Sequence, residues 1–290
     1  MNCIDQVVTE KYAAYHGDCV EVLRGLPDRS IGYSIFSPPF ASLYTYSNSP
    51  HDMGNVRDDA EFFEHFDYLI AELKRVIKPG RNISFHCMDM PSSKERDGVI
   101  GLKDFPGNLL RAFQAHGFIF HSKVTIWKDP VTAMQRTKAL GLLHKSVREN
   151  AAMCRQGIPD YLITVRAPGE CERVTHGAEY PVDLWQKVAS PVWMDINPSE
   201  TLQYMSAREH DDERHIAPLQ LEVIRRGIML WTNPGDIVLS PFMGIGSEGY
   251  VAVEMGRKFV GAELKASYFG QAVANLAAAV SKTADLFEAP

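Results

Sequence analysis

The sequence predicts an α/β fold with a doubly wound, mostly parallel sheet. Short apolar segments alternate with amphipathic helix patterns in the N-terminal half, and the same alternation returns near the C-terminus. A stretch of weak periodicity, residues 168–214, separates the two halves. Because alternating strands and helices form parallel sheets that helices cover, we expect both halves to contribute strands of this kind.

The predicted elements of the N-terminal half begin with two buried strands, Tyr12–Tyr15 and Ile31–Phe36. Residues Asp58–Lys78 have apolar side chains at helical spacing, with Asp58 as the expected N-cap and Pro79-Gly80 as the stop. The further elements predicted here are a strand over Asn82–Met88, a helix over Phe105–His116 and a strand over Phe118–Trp127.

The C-terminal half shows the same alternation of strands and helices. The elements predicted here are a helix over Leu219–Trp231, a strand over Asp236–Leu239, a glycine-rich loop and helix, a strand over Lys258–Ala262 and a closing helix. Residues 168–214 are rich in proline and charged side chains and include Trp185 and Trp193. This stretch is predicted to be an insertion.

Composition and charge exclude several classes of protein. The 290 residues include 36 acidic and 30 basic side chains, a net charge of −6, and 45% of them are hydrophobic. These values are typical of a globular protein and exclude a collagen-like fibre, a disordered tail and a highly basic histone-like binder. The five cysteines form no CxxC pair, so neither a disulfide framework nor a zinc ribbon is expected. No window reaches the roughly 18 consecutive apolar residues of a membrane span, and the N-terminus lacks a leader pattern, so we expect a cytoplasmic protein without membrane contacts.

A loop near the C-terminus carries a nucleotide-binding pattern. Gly244-x-Gly246-x-x-Gly249 follows one predicted strand directly and opens a predicted helix. Glycines here allow a tight turn and a close approach to a ligand, and Glu263, at the end of the next strand, can bind ribose hydroxyls. Only 44 residues follow Gly246. A complete nucleotide-binding sheet therefore needs strands from the N-terminal half, which predicts a unit that is permuted in sequence.

The second motif, Ser37-Pro38-Pro39-Phe40, follows the predicted strand Ile31–Phe36. Ligands bind at the carboxyl ends of strands in open parallel sheets, so this loop and the glycine loop should open on the same edge. Consecutive prolines leave their carbonyl oxygens as fixed acceptors, the Ser37 hydroxyl is another acceptor, and Phe40 offers a flat face. The motif therefore suits a planar ring that carries an amino group.

These motifs, in this order, resemble the beta class of S-adenosylmethionine-dependent DNA amino-methyltransferases, in which (S/D/N)PP(Y/F) precedes FxGxG. The resemblance implies a circularly permuted, Rossmann-like methyltransferase fold with a target-recognition insertion, S-adenosylmethionine as cofactor, and a base-holding catalytic motif. The implied catalytic residues are Ser37, Pro38, Pro39 and Phe40. The implied cofactor-binding residues are Asp18, Cys19, His215, Pro218, Gln220, Ser240, Pro241, Phe242, Gly244, Gly246, Ser247 and Glu263.

Three departures from the pattern of this family lie in the cofactor-binding half. Ser240 stands where the family usually has Asp, and Gly244-Ile245-Gly246-Ser247 stands where Gly-Ser-Gly-Thr is common. A lysine that the family has near the position of Gln220 is missing. The catalytic tetrapeptide is intact.

The reaction implied by the resemblance is methyl transfer to an exocyclic amino nitrogen. The lone pair of that nitrogen is delocalised into the ring, and acceptors at Ser37 and the Pro38 carbonyl would favour a pyramidal, more nucleophilic nitrogen in line with the methyl group. The target atom lies inside the duplex, so the base must be flipped out, and Phe40 can stack on it. No cysteine follows a proline, which argues against methylation at cytosine carbon 5. Adenine N6 and cytosine N4 satisfy these demands equally, and the base stays open.

A basic segment inside this acidic chain is expected to face DNA. Residues 123–155 have a net charge of +5 and the rest of the chain −11. The expected phosphate contacts are Lys123, Lys128, Arg136, Lys138, Lys145, Arg148 and Arg155, although a solvated helix face is the alternative for any one of them. The candidates for reading bases in the insertion include Gln186, Asn197, Gln203 and Arg208. The loop 41–57 either closes over the flipped base or is a surface loop without that role.

The predicted organisation is one catalytic unit, residues 1–167 and 215–290, with a target-recognition insertion over residues 168–214. Double-stranded DNA is the expected partner, while a homodimer and a cognate restriction nuclease are left open. Two other functions stay open: a nicotinamide-dependent oxidoreductase that uses the glycine loop, and a DNA-binding regulator that has lost methyl transfer. No metal is expected, and the histidines expected to be structural are His16, His86, His116 and His121.

Overall fold

The computed structural model describes residues 2–40, 58–92, 97–132, 144–176, 180–203 and 218–288. Within these ranges nine strands form one large sheet and two more form a separate pair. The strands of the large sheet are β1 (Asp5–Val8), β2 (Tyr12–His16), β3 (Tyr33–Phe36), β4 (Asn82–Met88), β7 (Ile119–Ile126), β8 (Asp160–Arg166), β9 (Val192–Trp193), β10 (Ile237–Ser240) and β11 (Lys258–Glu263). The separate pair is β5 (Met90–Ser92) and β6 (Gly101–Lys103).

Eight α-helices have both of their ends in the described ranges of the chain. They are α1 (Cys19–Arg24), α2 (Asp59–Val76), α3 (Phe105–Ala115), α4 (His144–Asn150), α5 (Val182–Ala189), α6 (Leu221–Trp231), α7 (Ser247–Glu254) and α8 (Ala266–Glu288). Asp58 caps α2 as predicted, since its side chain accepts a hydrogen bond from the Glu61 backbone N–H at 2.9 Å. None of the helices in these ranges is long and apolar enough to cross a membrane.

The large sheet has the order β1-β2-β11-β10-β3-β4-β8-β7-β9. Its centre is parallel, because β2, β11, β10, β3 and β4 pair in parallel along this order. The outer strand β1 is antiparallel to β2, and β8 is antiparallel to both of its neighbours, β4 and β7. Because β8 is antiparallel to both neighbours, β7 runs in the same direction as β4. The edge strand β9 pairs in parallel with β7 and shares this direction. Strands from both ends of the chain therefore form one sheet.

Helices cover both faces of the sheet, which confirms the doubly wound α/β prediction. On one face, apolar side chains of α1, α2 and α3 pack against alternate strand residues such as Phe36 and Phe85. On the other face, α6, α7 and α8 pack against the intervening residues, such as Tyr33 and Ile35. Neighbouring residues of β3 thus enter opposite cores, because side chains alternate across a strand, and the whole strand is buried.

The predicted elements are present, with bounds that differ by at most two residues. Asn82–Met88 is a strand with the predicted bounds, while β3 begins at Tyr33 because Ile31 makes only an isolated bridge with Ile77. The strand β8 was not predicted. It lies between β4 and the predicted strand near Phe118–Trp127, which therefore runs in the same direction as β4 without pairing with it.

Candidate active site

The carboxyl ends of the parallel strands bring the predicted site residues to one edge of the sheet. Glu263 at the end of β11 is in register with His16 at the end of β2, and β10 lies between β11 and β3. The loops that leave this carboxyl edge begin with Gly17-Asp18, Pro241-Phe242 and Ser37-Pro38. Sequence-distant motifs therefore meet where ligands bind in open α/β sheets.

The Ser37–Phe40 loop lies beside the glycine loop. Phe36, just before the first loop, and Phe242, at the start of the second, have ring centroids 5.8 Å apart. Pro38 is buried, whereas Ser37, Pro39 and Phe40 are half-buried. The Phe40 ring is tilted against the Phe105 ring of α3, with centroids 6.1 Å apart, so the core supports Phe40 from one side.

The glycine loop turns sharply into α7 and faces open space at one position. Gly246 precedes the helix with φ of 85°, and Gly244 has φ of 52°, both in the left-handed region that favours glycine. A Cβ built on Gly244 would meet no atom within 4 Å, while one on Gly246 would lie 3.2 Å from the Ala272 backbone of α8. The loop thus packs against α8 at Gly246 and leaves room for a ligand at Gly244.

Glu263 holds the glycine loop in place with its carboxylate. One carboxylate oxygen accepts a hydrogen bond from the Gly244 N–H at 2.9 Å, and the other accepts one from the Lys265 N–H at 2.9 Å. Each oxygen has a second lone pair that can accept from a hydroxyl group. The predicted ribose-binding acid is therefore placed beside the open position at Gly244.

Asp18 and Cys19 lie where β2 gives way to α1. The Asp18 side chain caps this helix by accepting from the Glu21 N–H at 3.0 Å. Cys19 is buried, and burial raises the pKa of its thiol well above the ordinary value. Cys19 therefore contributes packing here and not a thiolate.

Three of the buried polar atoms that have no hydrogen-bond partner in the described residues lie in the elements around the glycine loop. These atoms are the hydroxyl oxygens of Ser240 and Ser247 and the amide oxygen of Gln220 at the start of α6. A buried polar atom without a hydrogen bond is costly, so such atoms suggest a polar ligand that completes them. Together with the Glu263 carboxylate and the space at Gly244, these oxygens fit a ligand with ribose hydroxyls and amino groups. Pro218 is half-buried beside them in sequence, and His215 lies outside the described residues.

A chain of polar side chains behind Ser37 was missed by sequence reasoning. The Ser37 hydroxyl lies 3.2 Å from His86 Nδ1, and His86 Nε2 lies 3.2 Å from a carboxylate oxygen of Asp160. The other Asp160 oxygen accepts from Lys128 Nζ at 2.5 Å. Burial alone raises the pKa of Asp160, but the neighbouring His86 and Lys128 outweigh it and bring this pKa below the ordinary value. His86 was expected to be structural. The one sequence feature that could have pointed to a place near Ser37 is its position on the strand predicted after β3.

The predicted DNA-contacting residues belong largely to the connection between β7 and β8. Because β7 ends and β8 begins at the carboxyl edge, this connection, residues 127–159, leaves the sheet on the side of the Ser37 loop. Lys145 and Arg148 are exposed on α4, and Arg155 is half-buried. Lys123 lies within β7 with its Nζ 3.9 Å from the centroid of the Tyr161 ring. Arg136 and Lys138 lie outside the described residues, as do Arg208 and the loop 41–57.

The predicted insertion adds an edge strand to the same sheet. Val192–Trp193 pairs in parallel with β7, so the chain after Trp193 also leaves at the carboxyl edge. Gln186, Asn197 and Gln203 are exposed there or on α5. The segment is anchored to α6 by Arg226, whose guanidinium donates to Asp195 at 2.7 Å.

The fold of this chain is shared with solved methyltransferase structures. TTHA0409 of Thermus thermophilus, solved in complex with S-adenosyl-L-methionine, has a TM-score of 0.66 to this chain at 22% identity. The match covers 91% of this chain and 94% of that one. The chain thus has the mixed α/β methyltransferase fold with a large, mostly parallel sheet, as predicted.

Sequence comparison then gives the family. Residues 33–274 match the DNA methylase family of N6 and N4 methyltransferases. The type II methyltransferase M1.MboII of Moraxella bovis is 43% identical, over 88% of this chain and 92% of that protein. The type II methyltransferase M.BglII of Bacillus subtilis is 24% identical over 88% of this chain, which spans 66% of its length. This chain belongs to the DNA methylase family of adenine-N6 and cytosine-N4 methyltransferases, which confirms the predicted enzyme class and S-adenosylmethionine as its methyl donor, and decides against an oxidoreductase.

Proposed function

We propose that this chain transfers a methyl group to the exocyclic amino group of an adenine or cytosine that is flipped out of duplex DNA. The observation that carries the proposal is the meeting of the two motif loops, with the Phe36 and Phe242 rings 5.8 Å apart at the carboxyl edge of paired strands β3 and β10. A base held by the first loop and a cofactor held by the second would share one site.

The cofactor half of the site is assigned to the glycine loop and the elements around it. Glu263 would accept hydrogen bonds from ribose hydroxyls, and the unpartnered oxygens of Gln220, Ser240 and Ser247 would bind the polar groups of the ligand. S-adenosylmethionine, when bound, supplies a methyl group on a sulfonium centre. The remaining predicted contacts, Asp18, Cys19, His215, Pro218, Pro241, Phe242, Gly244 and Gly246, would surround it.

The base half of the site is assigned to Ser37, Pro38, Pro39 and Phe40. The Ser37 hydroxyl oxygen and the Pro38 carbonyl would accept the two N–H bonds of the target amino group and direct its lone pair toward the methyl group. Phe40, supported by Phe105, would stack on the base and stabilise its extrahelical position. Loss of the hydrogen-bond acceptors or of the stacking ring should slow methyl transfer more than it weakens cofactor binding.

The order of the two motifs supports assignment to the beta, permuted class with an SPPF motif. Ser37–Phe40 precedes the glycine loop by about two hundred residues in sequence, yet β3 and β10 are neighbours in the sheet. One catalytic unit of residues 1–167 and 215–290 with a recognition insertion over 168–214 would follow from that order. We further propose double-stranded DNA as substrate, contacted by the connection between β7 and β8.

The test is methyl transfer from labelled S-adenosylmethionine to duplex DNA, followed by nucleoside analysis that separates N6-methyladenine from N4-methylcytosine. Pro38→Ala and Phe40→Ala should lose methyl transfer by about 10²-fold or more while cofactor affinity is retained. As a matched control, Pro27→Ala changes a proline before β3, remote from the carboxyl edge, and should keep full activity. Full activity in the Pro38 and Phe40 variants would contradict the site assignment. Specific DNA binding by the wild type without methyl transfer would support the inactive regulator instead.

Sequencing methylated positions in DNA from cells that express the chain would give the recognition sequence as well as the base. A cytoplasmic location, a homodimer and a cognate restriction nuclease stay predictions. Purification with and without DNA, with the mass measured in solution, tests the dimer.

A further inference from the structure

The proposed function leaves the polar chain behind Ser37 without a role. Ser37 Oγ, the His86 imidazole, the Asp160 carboxylate and Lys128 Nζ follow one another at 3.2, 3.2 and 2.5 Å. Asp160 is 3% exposed and His86 9%. Buried polar groups at such distances form a network, in which the donor or acceptor role of one group constrains the role of the next.

The donor and acceptor roles in this network follow from Asp160 and Lys128, which lie farthest from Ser37 along it. Asp160 accepts from Lys128, and its other carboxylate oxygen lies 3.2 Å from His86 Nε2 without the alignment of a hydrogen bond; its negative charge favours an imidazole proton on Nε2 over one on Nδ1. Nδ1 is then an acceptor. The Ser37 O–H donates to Nδ1, and both lone pairs of the serine oxygen stay available for the N–H groups of a base.

We propose that His86, oriented by Asp160, is a positioning residue that makes Ser37 a pure acceptor toward the target amino group and takes up the proton released on methylation. The inference rests on the proposed function, since it assumes that Ser37 contacts the base. A serine in this position by itself can turn its hydroxyl either way. The His86–Asp160 pair fixes one direction, much as a carboxylate at that position would.

This network accepts the proton that the amino nitrogen loses on methylation. A bond forms between the amino nitrogen and the methyl carbon, while the bond between that carbon and sulfur breaks and its electron pair stays on sulfur. The nitrogen then loses one proton to Ser37 Oγ as the Ser37 hydroxyl proton passes to His86 Nδ1. The resulting imidazolium is paired with the Asp160 carboxylate and returns its proton to water after product release.

The sharpest variant is Asp160→Asn. An amide at this position can donate to His86 Nε2, which would move the imidazole proton to Nδ1 and make His86 a donor to Ser37. We expect nitrogen NMR of labelled protein to show His86 as the Nε2–H form in the wild type and as the Nδ1–H form in the variant. The rate constant kcat should fall about 10²-fold, with cofactor affinity unchanged.

His86→Asn separates the two roles. An asparagine amide oxygen can still accept from Ser37 but cannot take up a proton, so kcat should fall in His86→Asn, although less than in His86→Leu. Among the described residues, Asp160 contacts His86 directly and Lys128 acts on it through Asp160, and Lys128→Met is therefore measured alongside. His116→Asn is the matched control, because His116 pairs with Asp67 at 2.5 Å far from Ser37, and it should leave kcat unchanged.

A double-mutant cycle with Ser37→Ala tests whether His86 acts through Ser37. Once the hydroxyl is gone, His86→Leu should cost little more, whereas additive losses would overturn the proposal. An Nδ1–H tautomer in the wild type would overturn it as well, even if every variant were inactive. Thermal unfolding of each variant identifies any loss that is due to misfolding, and the tautomer measurement on the wild type does not depend on the variants. If the wild type transfers no methyl group to DNA, the proposed function fails, and the NMR result then still reports on the network.

Discussion

Glu248 is a buried acid at the second position of α7, with 4% of its surface exposed. Burial, with a smaller contribution from the negative charge of Glu263, raises its pKa to about 8. A carboxyl with this pKa is protonated at neutral pH in the folded chain and ionised in the unfolded chain. Its neutral form therefore belongs to the folded state.

The pH dependence of stability follows from this shift. The contribution of neutral Glu248 is fully present below its ordinary pKa of 4.5 and is lost as the pH rises toward about 8. Glu248→Gln, which is always neutral, should gain stability over the wild type across this window, by on the order of 3 kcal/mol at pH 8. Urea unfolding at several pH values measures this difference.

The control for this prediction is Glu10→Gln. The Glu10 side chain is 83% exposed, so its replacement should leave the pH dependence of stability unchanged. If the free energy of unfolding changed with pH in the same way for wild type and Glu248→Gln between pH 5 and pH 8, Glu248 would be ionised in the folded chain.

At the scale of the element, the turn into α7 depends on Gly246. Its φ of 85° strains any residue with a Cβ, and that Cβ would lie 3.2 Å from the backbone of Ala272 on α8. Gly246→Ala should therefore cost about 2–4 kcal/mol in stability and weaken cofactor binding. Gly256→Ala is the matched comparison, because Gly256 has φ of 76° and open space around it, and should cost only about 1–2 kcal/mol. Equal costs at both positions would show that α8 yields to the added methyl group.

The second element that invites a test is the edge segment of β9. Arg226 on α6 is 1% exposed, donates to Glu222 at 2.9 Å and to Asp195 at 2.7 Å, and lies over the Trp193 ring at 4.9 Å. Arg226→Met should lose about 2 kcal/mol and speed amide exchange over residues 182–203, because it removes the anchor between α6 and this segment.

The neighbouring Arg225→Met provides the comparison for this anchor. Arg225 also pairs with Glu222, at 2.8 Å, but its side chain is 35% exposed. It should change stability by less than about 1 kcal/mol and leave exchange unaltered over residues 182–195, which do not include its other partner in this segment, Glu200. The anchor would be misassigned if both variants accelerated exchange equally.

For the molecule as a whole, charge is distributed between the two edges of the sheet. The connection between β7 and β8, which leaves and rejoins the sheet at the carboxyl edge, carries Lys145 and Arg148, whereas Lys11 and Lys258 lie at the amino ends of β2 and β11. If DNA binds over the carboxyl edge, the double change Lys145→Glu, Arg148→Glu should lower DNA affinity at least about tenfold and reduce the salt dependence of binding.

The control has the same change in net charge. Lys11→Glu with Lys258→Glu alters the opposite edge and should leave affinity within about twofold if local contacts dominate over net charge. Binding titrations at several salt concentrations measure both the affinity and its slope. Equal losses in the two double variants would show that binding follows net charge and not this surface.

Much of the fold and of the proposed site could be predicted from local patterns. The helical spacing of apolar residues predicted α2 and its Asp58 cap. The motifs Ser37–Phe40 and the glycine loop were predicted at strand ends, where the structure has them. These features are local, because a few consecutive residues determine the turn, the cap and the buried face. The family resemblance added their order along the chain.

Only the tertiary structure decided which strands are neighbours, and with that which side chains meet. The strand β8 lies between β4 and β7 and brings Asp160 to His86, while the parallel pairing of β3 with β4 brings His86 to Ser37. Ser37 and His86 are 49 positions apart in sequence, and Asp160 is farther still. No local pattern encodes such a contact, since register and strand order are set by packing over the whole sheet. The sequence by itself determined the two motifs and the class of enzyme; the fold determined that His86 and Asp160 support the first motif.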